Sequence, residues 1–393
     1  MSLYAFELGR KKKLCSAELI HLLGENNLVE ENLDTIIFQL EDLDDKDRQK
    51  LQDSLGGTIK IVKIIDTLPS SKSNLTKNLP QKIEKLLTET LKDHSGKIPF
   101  SISLLNFRNT RDINIKQLLN FSKKIIKSIG FNCRFVNKNF QNPKPAAIYK
   151  AKVIQKGIDI CIIKGNEETF LGYSVSMQNI DNYSLRDYHK PGRDARVGML
   201  PPKLAQIMIN LAGPKTKTIY DPFCGTGTVP MEAMLMHKTA VGSDIEERLV
   251  KFSRENCTWL TEKFEKSGKN FRIFKKDAQK LTAKDLPEKI DAIITEGYLG
   301  KPVSKLPPEN QRKAAFNSIA RLHKAWLTAA HTITPENCKV VLCTTVFKNN
   351  GRAEYFPEFD RLVHEAGYRI VASFLYDRPD QIVARDIKVL EKL

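Results

Sequence analysis

The chain has 393 residues, of which 41% are hydrophobic and 28% charged, a composition typical of a folded globular protein with two or three domains. It has no run of about 20 consecutive apolar residues, which excludes a membrane-spanning helix. The N-terminal segment lacks the apolar region and cleavage site of a signal peptide. The seven cysteines are scattered without CxxC spacing, which argues against a disulfide framework or zinc knuckle and favours the cytoplasm.

The formal net charge is +17, and it is unevenly distributed. Residues 1–70 hold 9 Lys and Arg against 13 Asp and Glu, whereas residues 71–180 hold 19 against 7. A surplus of this size favours a polyanionic partner, because neutralising phosphates releases counterions from nucleic acid. Solvated surface lysine is the alternative explanation. The concentration in one segment favours an RNA-binding module there.

The N-terminal 70 residues alternate between strand and helix patterns, an order typical of a small α+β sheet of ferredoxin-like type. The predicted elements are Leu3–Leu8, Ser16–Leu23, Asp34–Leu40, Asp44–Leu55 and Thr58–Ile65. The stretch Leu68–Asn78 is rich in Pro, Ser, Asn and Lys, which predicts a linker.

A second α/β module follows and carries most of the positive charge. Its predicted helices are Leu79–Leu91 and Ile115–Ile129, and its predicted strands are Pro99–Leu104, Asn132–Val136, Asp159–Lys164 and Thr169–Met177. Four lysines on the second helix form a candidate phosphate-facing stripe, for which a solvated helix face is the alternative. These are Lys116, Lys123, Lys124 and Lys127.

From Met199 onward, strands and helices alternate regularly, which predicts a doubly wound sheet with its ligand at the carboxyl ends of the strands. The last two predicted strands, Arg369–Tyr376 and Gln381–Leu390, are joined by a four-residue turn. Such strands must be antiparallel, because a parallel pair needs a crossover of about a dozen residues. A parallel sheet closed by one reversed strand indicates the Rossmann-like methyltransferase architecture rather than the dehydrogenase one.

The string Asp221-Pro-Phe-Cys-Gly-Thr-Gly-Thr228 follows the first strand of this domain and opens its first helix. Gly225 and Gly227 let the backbone pass close to a ligand that a Cβ would exclude. Asp221 can accept a hydrogen bond from an ammonium group, which suits the methionyl amine of S-adenosylmethionine and would repel a pyrophosphate. Phe223 and Cys224 lie within the same turn, so they are candidate cofactor contacts. The dinucleotide and P-loop fingerprints are absent.

Acidic residues also follow the next two strands. Asp244, in Val-Gly-Ser-Asp-Ile, comes 23 residues after Asp221, where a nucleoside-binding fold grips ribose hydroxyls, and Ile245 is its neighbour in the candidate site. Asp277 follows the third strand and is either an acceptor for the adenine amine or a helix cap.

The fourth strand ends in Thr-Glu-Gly-Tyr-Leu-Gly over residues 295–300. Methylating an exocyclic amine requires acceptors for its N–H groups, because its lone pair is delocalised into the ring. Glu296 is the candidate acceptor, since its charge stabilises charge that develops in the transition state. Tyr298 is the candidate stacking surface for the base. A surface loop with a chance acid is the alternative.

With these motifs, the chain resembles the THUMP-containing tRNA guanosine N2-methyltransferases of archaea and eukaryotes. The resemblance rests on the opening YAFELGRKKKLCSAEL, the linker RDYHKPGRDAR running into GMLPPKLA, DPFCGTGT, GSDI and the closing RPDQIVARDIKVLEK. It implies S-adenosylmethionine as cofactor, bound by Asp221, Gly225, Gly227 and Asp244. It also implies tRNA as substrate, modified on the N2 amine of the guanosine at position ten.

The resemblance divides the chain into a ferredoxin-like domain (1–70), a THUMP RNA-binding domain (71–178), a basic linker (179–200) and a methyltransferase domain (201–393). In the linker, Arg186, Arg193 and Arg196 are candidate RNA contacts, with docking of the linker onto the domains as the alternative. The seven histidines show no metal-ligand spacing, so no metal is expected.

One departure bears on activity. The family carries Asp-Pro-Pro-Tyr at the fourth strand, whereas this chain has Glu296 and Gly297 in place of Asp and Pro, with Tyr298 shifted forward. A longer acid on a shorter loop can reach the same point. A tRNA-binding pseudo-enzyme that keeps the cofactor site is the alternative. A tRNA thiolation enzyme would need an ATP-pyrophosphatase loop and paired cysteines, and neither is visible. The need for an activating subunit is left open.

Overall fold

The computed structural model describes residues 1–108, 113–194, 199–264, 270–287, 289–349, 352–379 and 381–393. The chain separates into two compact units, Met1–Asn182 and Tyr183–Leu393. In the described part of the chain, no helix combines the length and the apolar character that crossing a bilayer requires.

The first unit contains eight strands and six helices within the residues described. They are β1 (Ser2–Leu8), α1 (Lys12–Leu23), β2 (Leu28–Glu31), β3 (Thr35–Leu40), α2 (Asp45–Ser54), β4 (Thr58–Pro69), α3 (Lys72–Thr90), β5 (Ile98–Leu105), α4 (Ile115–Ser128), β6 (Cys133–Phe135), α5 (Pro145–Lys150), α6 (Val153–Lys156), β7 (Ile158–Lys164) and β8 (Glu168–Met177). The strands form one mixed sheet in the order β2-β3-β1-β4-β8-β7-β5-β6. The predicted modules 1–70 and 71–178 therefore contribute strands to the same sheet, and the boundary between them stays a prediction.

The predicted linker over Leu68–Asn78 is wrong. Strand β4 continues to Pro69, and α3 begins at Lys72. Leu75 and Leu79, one helical turn apart, are both buried, so an apolar helix face runs through a segment whose composition suggested a loop. The other strands and helices predicted in this unit are present, and β2 and the short helices α5 and α6 were not predicted.

The sheet of the first unit curls until its distant strands meet. The side chain of Asn106, just after β5, accepts from the Asp34 backbone N–H at 2.9 Å and donates to the Thr35 hydroxyl at 2.8 Å, at the start of β3. These strands are not neighbours in the sheet, so the sheet is strongly curved and has an inner face. Its apolar part is formed by Ala5, Ile37, Val62, Ile64, Leu105, Cys161, Ile163 and Phe170.

A buried ion pair lies on this inner face. Lys60 on β4 and Asp159 on β7 are 1% and 0% exposed, and their charged atoms are 2.6 Å apart. Three hydroxyls also donate to the Asp159 carboxylate, those of Ser101 and Ser103 at 2.7 Å and that of Ser174 at 2.5 Å. Because both charges lack water, each stabilises the fold only while the other is present.

The second unit follows the predicted alternation of strands and helices. Helix α7 (Ile180–Tyr188) contains the boundary between the units. The later elements are α8 (Pro202–Leu211), β9 (Thr218–Asp221), α9 (Thr228–Leu235), β10 (Thr239–Asp244), α10 (Glu247–Lys263), β11 (Phe271–Lys275), β12 (Ala292–Thr295), α11 (Glu309–Ile333), β13 (Lys339–Asn349), β14 (Arg352–Glu354), α12 (Phe359–Glu365), β15 (Tyr368–Tyr376) and β16 (Val383–Lys392).

The strand order β11-β10-β9-β12-β13-β16-β15 is that of a doubly wound sheet with its last strand inserted next to β13. Strand β16 pairs antiparallel with both β13 and β15, whereas the neighbouring pairs from β11 to β13 are parallel. The predicted Rossmann-like sheet with a reversed last strand is confirmed. Because β10, β9 and β12 are adjacent and parallel, their carboxyl ends lie along one edge of the sheet.

Replacing Lys60 with Met is expected to lower the free energy of unfolding by about 3–5 kcal/mol, because Asp159 would stay buried without its counter-ion. Urea unfolding followed by far-UV circular dichroism measures the change. Lys63→Met is the matched control on the same strand, since Lys63 pairs with Asp42, whose side chain is 61% exposed. We expect this control to lose less than about 1 kcal/mol. Equal losses in the two variants would contradict the importance of the buried pair.

Candidate active site

The turn between β9 and α9 depends on its glycines. Gly225 has φ +52°, and a Cβ there would point into open space. Gly227 has φ +84°, and a Cβ there would lie 2.5 Å from the Ser253 hydroxyl. The Cys224 N–H donates to the Ser243 carbonyl at 2.9 Å, which ties the turn to β10. Only glycine fits both positions without strain, so the turn leaves an open backbone surface beside the strand ends.

Asp221 ends β9 and is 3% exposed. Its carboxylate accepts from the Phe223 N–H at 3.1 Å and from the Thr295 side chain. Burial raises the pKa of Asp221 to about 7, with smaller contributions from the charges of Asp244 and Glu296. Within the part of the chain that the structure describes, no Lys or Arg forms an ion pair with Asp221. A buried acid of this kind is suited to bind a cation.

Asp244 ends β10 beside this turn. Its two carboxylate oxygens accept from the Gly225 and Glu246 N–H groups, each at 3.0 Å. Ile245 is 61% exposed next to it. Farther along the edge, the Asp277 carboxylate accepts from the Gln279 N–H at 3.0 Å and caps a short 3₁₀ helix. The backbone thus orients Asp244, while Asp277 has the contact expected of a cap.

Two other predicted contacts in the turn are the half-buried Phe223 and the buried Cys224. Phe223 packs edge-on against Trp326 of α11, with ring centroids 5.7 Å apart. Cys224 is buried, and burial raises the pKa of its thiol well above the ordinary value. The backbone of these residues shapes the turn, and neither side chain supplies a nucleophile.

The loop after β12 is held by several contacts. The Gly297 N–H donates to the Thr295 hydroxyl at 3.1 Å, and the Leu299 carbonyl accepts from the Thr345 hydroxyl at 2.9 Å. Glu296 accepts from the guanidinium of Arg385, with Nε and one Nη each 2.5 Å from Oε1. Burial raises the pKa of Glu296, and the Arg385 charge opposes that shift.

Tyr298 is 39% exposed in this loop, so part of its side chain is accessible to a ligand. Near it, His323 of α11 is fully buried and accepts from the Trp326 indole N–H at 3.1 Å. A Cβ built on Gly297 would lie 3.3 Å from His323 Cε1, so the imidazole packs against the loop backbone. Burial lowers the pKa of His323 to about 4, which leaves the ring neutral at pH 7.

The sequence did not identify how the segment before the catalytic domain is anchored. Lys190 is 3% exposed, and its ammonium donates to the hydroxyls of Thr226 at 3.2 Å and Thr228 at 3.1 Å in the glycine turn. Asn256 of α10 accepts from the Gly192 N–H at 2.7 Å and donates to the Thr226 carbonyl at 2.7 Å. The Lys and Gly of the RDYHKPGR string were visible in the sequence, but their partners were not.

The predicted RNA contacts are distributed over both units. On α4, Lys116, Lys124 and Lys127 are exposed, and Lys123 is half-buried. In the linker, Arg193 is exposed and donates to the Tyr188 carbonyl at 2.7 Å.

The other two linker arginines have different positions. Arg186 is 5% exposed and forms an ion pair with buried Glu232 at 2.6 Å, so its guanidinium contacts the protein interior. Arg196 lies outside the described residues. The prediction of all seven basic residues as RNA contacts stays a prediction.

The sheet order and the glycine turn define a Rossmann-like domain of the methyltransferase type. A family model described as an RMKL-like methyltransferase domain matches residues 191–348. A second, described as a DNA methylase, matches residues 44–255, which is more than half of the chain. The chain belongs to the methylase family that the second model describes, and over residues 191–348 it is similar to the first.

The chain is also similar to curated proteins that are named as tRNA methyltransferases. The chain is 36% identical over 136 residues to a tRNA (guanine(10)-N2)-dimethyltransferase of Methanothermobacter thermautotrophicus, covering 34% of this chain and 35% of that protein. It is 35% identical over 125 residues to the protein of the same name in Methanocaldococcus jannaschii, covering 31% and 33%. The matches span about a third of the length of these relatives. The resemblance proposed from the motifs is confirmed.

Among solved structures, TrmN from Thermus thermophilus aligns over 100% of this chain and 99% of its own, with a TM-score of 0.53 and 16% sequence identity. This likeness concerns the fold alone. In the described part of the chain, no three His, Cys, Asp or Glu side chains are grouped so that they could hold a metal ion.

Lys190 gives the site a testable pH dependence of stability. Burial lowers the pKa of Lys190 to about 8. An unfolded lysine titrates near 10.4, so between these values the unfolded chain binds the extra proton. The contribution of Lys190 to the free energy of unfolding should therefore rise with pH, by at most about 3 kcal/mol.

Urea unfolding of wild type and Lys190→Met at pH 7.5 and 10 measures this difference. Tryptophan fluorescence reports it, since both tryptophans, Trp259 and Trp326, lie in the second unit. Lys251→Met, at an exposed position on α10, is the control and should follow wild type at both pH values. An unchanged difference in the free energy of unfolding between wild type and Lys190→Met would show that folding does not lower the pKa of Lys190.

Proposed function

We propose that the chain is an S-adenosylmethionine-dependent methyltransferase that modifies the exocyclic N2 amine of a tRNA guanosine, at position ten. The observation that carries the proposal is the identity of 33–36% with three proteins named tRNA (guanine(10)-N2)-dimethyltransferase. The arrangement of carboxylates at the strand ends supports it independently.

The residues at the sheet edge fit S-adenosylmethionine. Asp221 is a buried acid without a cationic partner in the described chain, so it can accept from the methionyl ammonium. Gly225 has open space where a side chain would stand. Asp244 has both oxygens oriented by backbone N–H groups and can accept from the ribose hydroxyls. When bound, the cofactor supplies a methyl group on a sulfonium, whose carbon–sulfur bond breaks as the amine nitrogen forms its new bond.

Glu296 performs the amine chemistry in this proposal. An aromatic amine attacks poorly because its lone pair is shared with the ring, and acceptors for its N–H groups localise that pair on nitrogen. The Glu296 carboxylate is such an acceptor, and its charge stabilises the positive charge that develops on nitrogen. The proton that the nitrogen loses passes to this carboxylate or through it to water. Tyr298 provides an exposed ring on which the base can stack.

The partner in this proposal is tRNA. The positive charge of residues 71–180 and the exposed lysines of α4 suit its phosphates. We place the protein in a reducing compartment, the cytoplasm, because all seven cysteines are buried free thiols. No metal is required by the proposed chemistry, and an activating subunit is left to experiment.

Labelled S-adenosylmethionine and a tRNA transcript test the proposal. Label should appear as N2-methylguanosine or N2,N2-dimethylguanosine at position ten, and a transcript with adenosine at that position should accept none. Duplex DNA is the second control substrate. Cofactor binding without transfer to any tRNA would favour the pseudo-enzyme alternative or a requirement for a second subunit.

Two substitutions separate cofactor binding from transfer. Glu296→Ala should bind the cofactor like wild type and lower turnover by about 100-fold or more, because it removes an electrostatic acceptor in the transition state. Asp244→Ala should weaken cofactor binding itself, measured by calorimetry. Full activity of Glu296→Ala would overturn the assignment of the amine acceptor.

Cofactor affinity should depend on pH through Asp221, since only its ionised form pairs with an ammonium. With its pKa at about 7 in the free protein, the affinity should rise about tenfold between pH 6 and pH 8 and then level off. Calorimetric titration measures this, and Asp221→Asn should bind weakly without that dependence. Asp360→Asn, an exposed position on α12, should keep the wild-type profile. A flat wild-type profile would contradict the role of Asp221.

A further inference from the structure

Arg385 occupies a rigid position in the sheet. It lies on β16, where its backbone pairs with Thr345 of β13 on one side and Tyr376 of β15 on the other. The residue is 8% exposed. A central strand with two antiparallel neighbours allows little backbone movement, so the base of this side chain is fixed.

The guanidinium engages only one of the two carboxylate oxygens of Glu296. Nε and one Nη of Arg385 both converge on Oε1, at 2.5 Å each. Among the described residues, Oε2 has no hydrogen-bond partner. It is also not one of their fully buried atoms that lack a partner, so it is accessible to solvent. The side chain of Glu296 is 17% exposed. Oε2 is therefore the oxygen presented to a ligand.

The backbone on either side of Glu296 is also fixed. Thr295 before it ends β12, and its hydroxyl accepts from the Gly297 N–H. Gly297 has φ +68°, a conformation that strains other residues. The Leu299 carbonyl is held from β13 by Thr345. With the backbone fixed, the Glu296 carboxylate can still move only by rotation about its side-chain bonds. The ion pair with Arg385 prevents this rotation.

We propose that Arg385 is the positioning residue of the methyl-transfer site: it holds Oε1 of Glu296 so that Oε2 alone accepts from the target amine. This inference rests on the proposed function. It also gives a reason for Glu at this position, because the side chain must reach both the guanidinium on β16 and the amine above the strand ends.

The guanidinium has an electrostatic effect as well as a geometric one. A carboxylate in a low-dielectric site is drawn toward its protonated form, which cannot accept through both oxygens. The adjacent charge of Arg385 opposes that tendency. A carboxylate paired with arginine is a weaker base, so it accepts the hydrogen bond while the proton stays on the amine until the nitrogen has attacked.

The groups around Glu296 come from four elements. Asp221 of β9 and Cys343 of β13 both sense its charge, Arg385 lies opposite it, and His323 of α11 packs on the next residue. The His323 ring is neutral above about pH 5, and burial keeps the Cys343 thiol protonated. The pKa of Asp221 is about 7, and a saturating cofactor holds this carboxylate ionised. At saturating cofactor, the fall of kcat at low pH (its acid limb) therefore reports the protonation of the Glu296 carboxylate.

The experiment compares kcat against pH for wild type, Arg385→Gln, Arg385→Lys and the control Arg369→Gln. Arg369 lies on neighbouring β15 with its side chain 62% exposed, so its loss tests for general effects on the sheet. Cofactor affinity and thermal unfolding are measured for each variant. The Glu296 carboxyl is titrated by ¹³C NMR of glutamate-labelled protein, assigned by its absence in Glu296→Gln.

In Arg385→Gln, kcat at pH 7 should fall about 10- to 100-fold with cofactor affinity unchanged. The midpoint of its acid limb and the NMR titration of Glu296 should both move to higher pH, because the ionised form has lost its counter-charge, and part of the activity should return at high pH. Arg385→Lys should keep the wild-type midpoint with a lower kcat, since an ammonium supplies charge without the two converging donors. Arg369→Gln should match wild type.

A wild-type kcat and pH profile in Arg385→Gln would overturn the positioning role. In Arg385→Gln, a fall in kcat with an unmoved midpoint and an unmoved NMR titration would assign Arg385 to structure alone. If Arg385→Gln does not fold, Arg385→Lys is the deciding variant, and a wild-type kcat in Arg385→Lys would overturn the positioning role because its ammonium lacks the two converging donors. Absence of methyl transfer to tRNA by wild type would instead point to the pseudo-enzyme alternative or to a missing second subunit, and the NMR titration would still report whether Arg385 lowers the pKa of Glu296.

Discussion

Three carboxylates lie close together at one edge of the second sheet, and the rest of the site must compensate for their mutual repulsion. Asp221 and Asp244 end adjacent parallel strands, and Glu296 follows a third. The three carboxylates have different partners. Asp244 accepts from two backbone N–H groups, Asp221 from one backbone N–H and the Thr295 side chain, and Glu296 from the guanidinium of Arg385. Asp221 is 3% exposed and has no ion-pair partner in the described chain, so a cationic ligand gains most there, and the proposed function assigns the cofactor ammonium to it.

The reversed strand β16 has a chemical consequence beyond closing the sheet. If β15 lay directly beside β13, the residue next to the loop after β12 would come from β15 and not from β16. Insertion of β16 brings Arg385 opposite Thr345 of β13, and β13 is the single strand between β16 and β12, which leads into the loop that carries Glu296. The topology that distinguishes this domain from a dinucleotide-binding one therefore also delivers the partner of the proposed amine acceptor.

The glycine turn is supported from behind by polar contacts that reach its backbone and hydroxyls. Lys190 and Asn256 hold Thr226 from the linker and from α10. Buried polar contacts of this kind are costly to leave unmet, so they fix one geometry for the turn rather than several. A turn with open space at Gly225 needs such support, because a ligand cannot be positioned by a backbone that moves.

The sequence by itself determined the fold class of the second unit and proposed most of the residues of its candidate site. The evidence for them is local: the strand and helix periodicity, the four-residue turn before the last strand, and the spacing from Asp221 to Asp244. Local features can be recognised from the sequence alone. It did not determine the partners of those residues. Arg385 and Glu296 are 89 positions apart, and Lys60 and Asp159 are 99 apart. The linker predicted over Leu68–Asn78 failed for the same reason, since its helix depends on packing within the first unit. Only the tertiary structure decides such pairings, because chain connectivity does not encode which distant strands become neighbours.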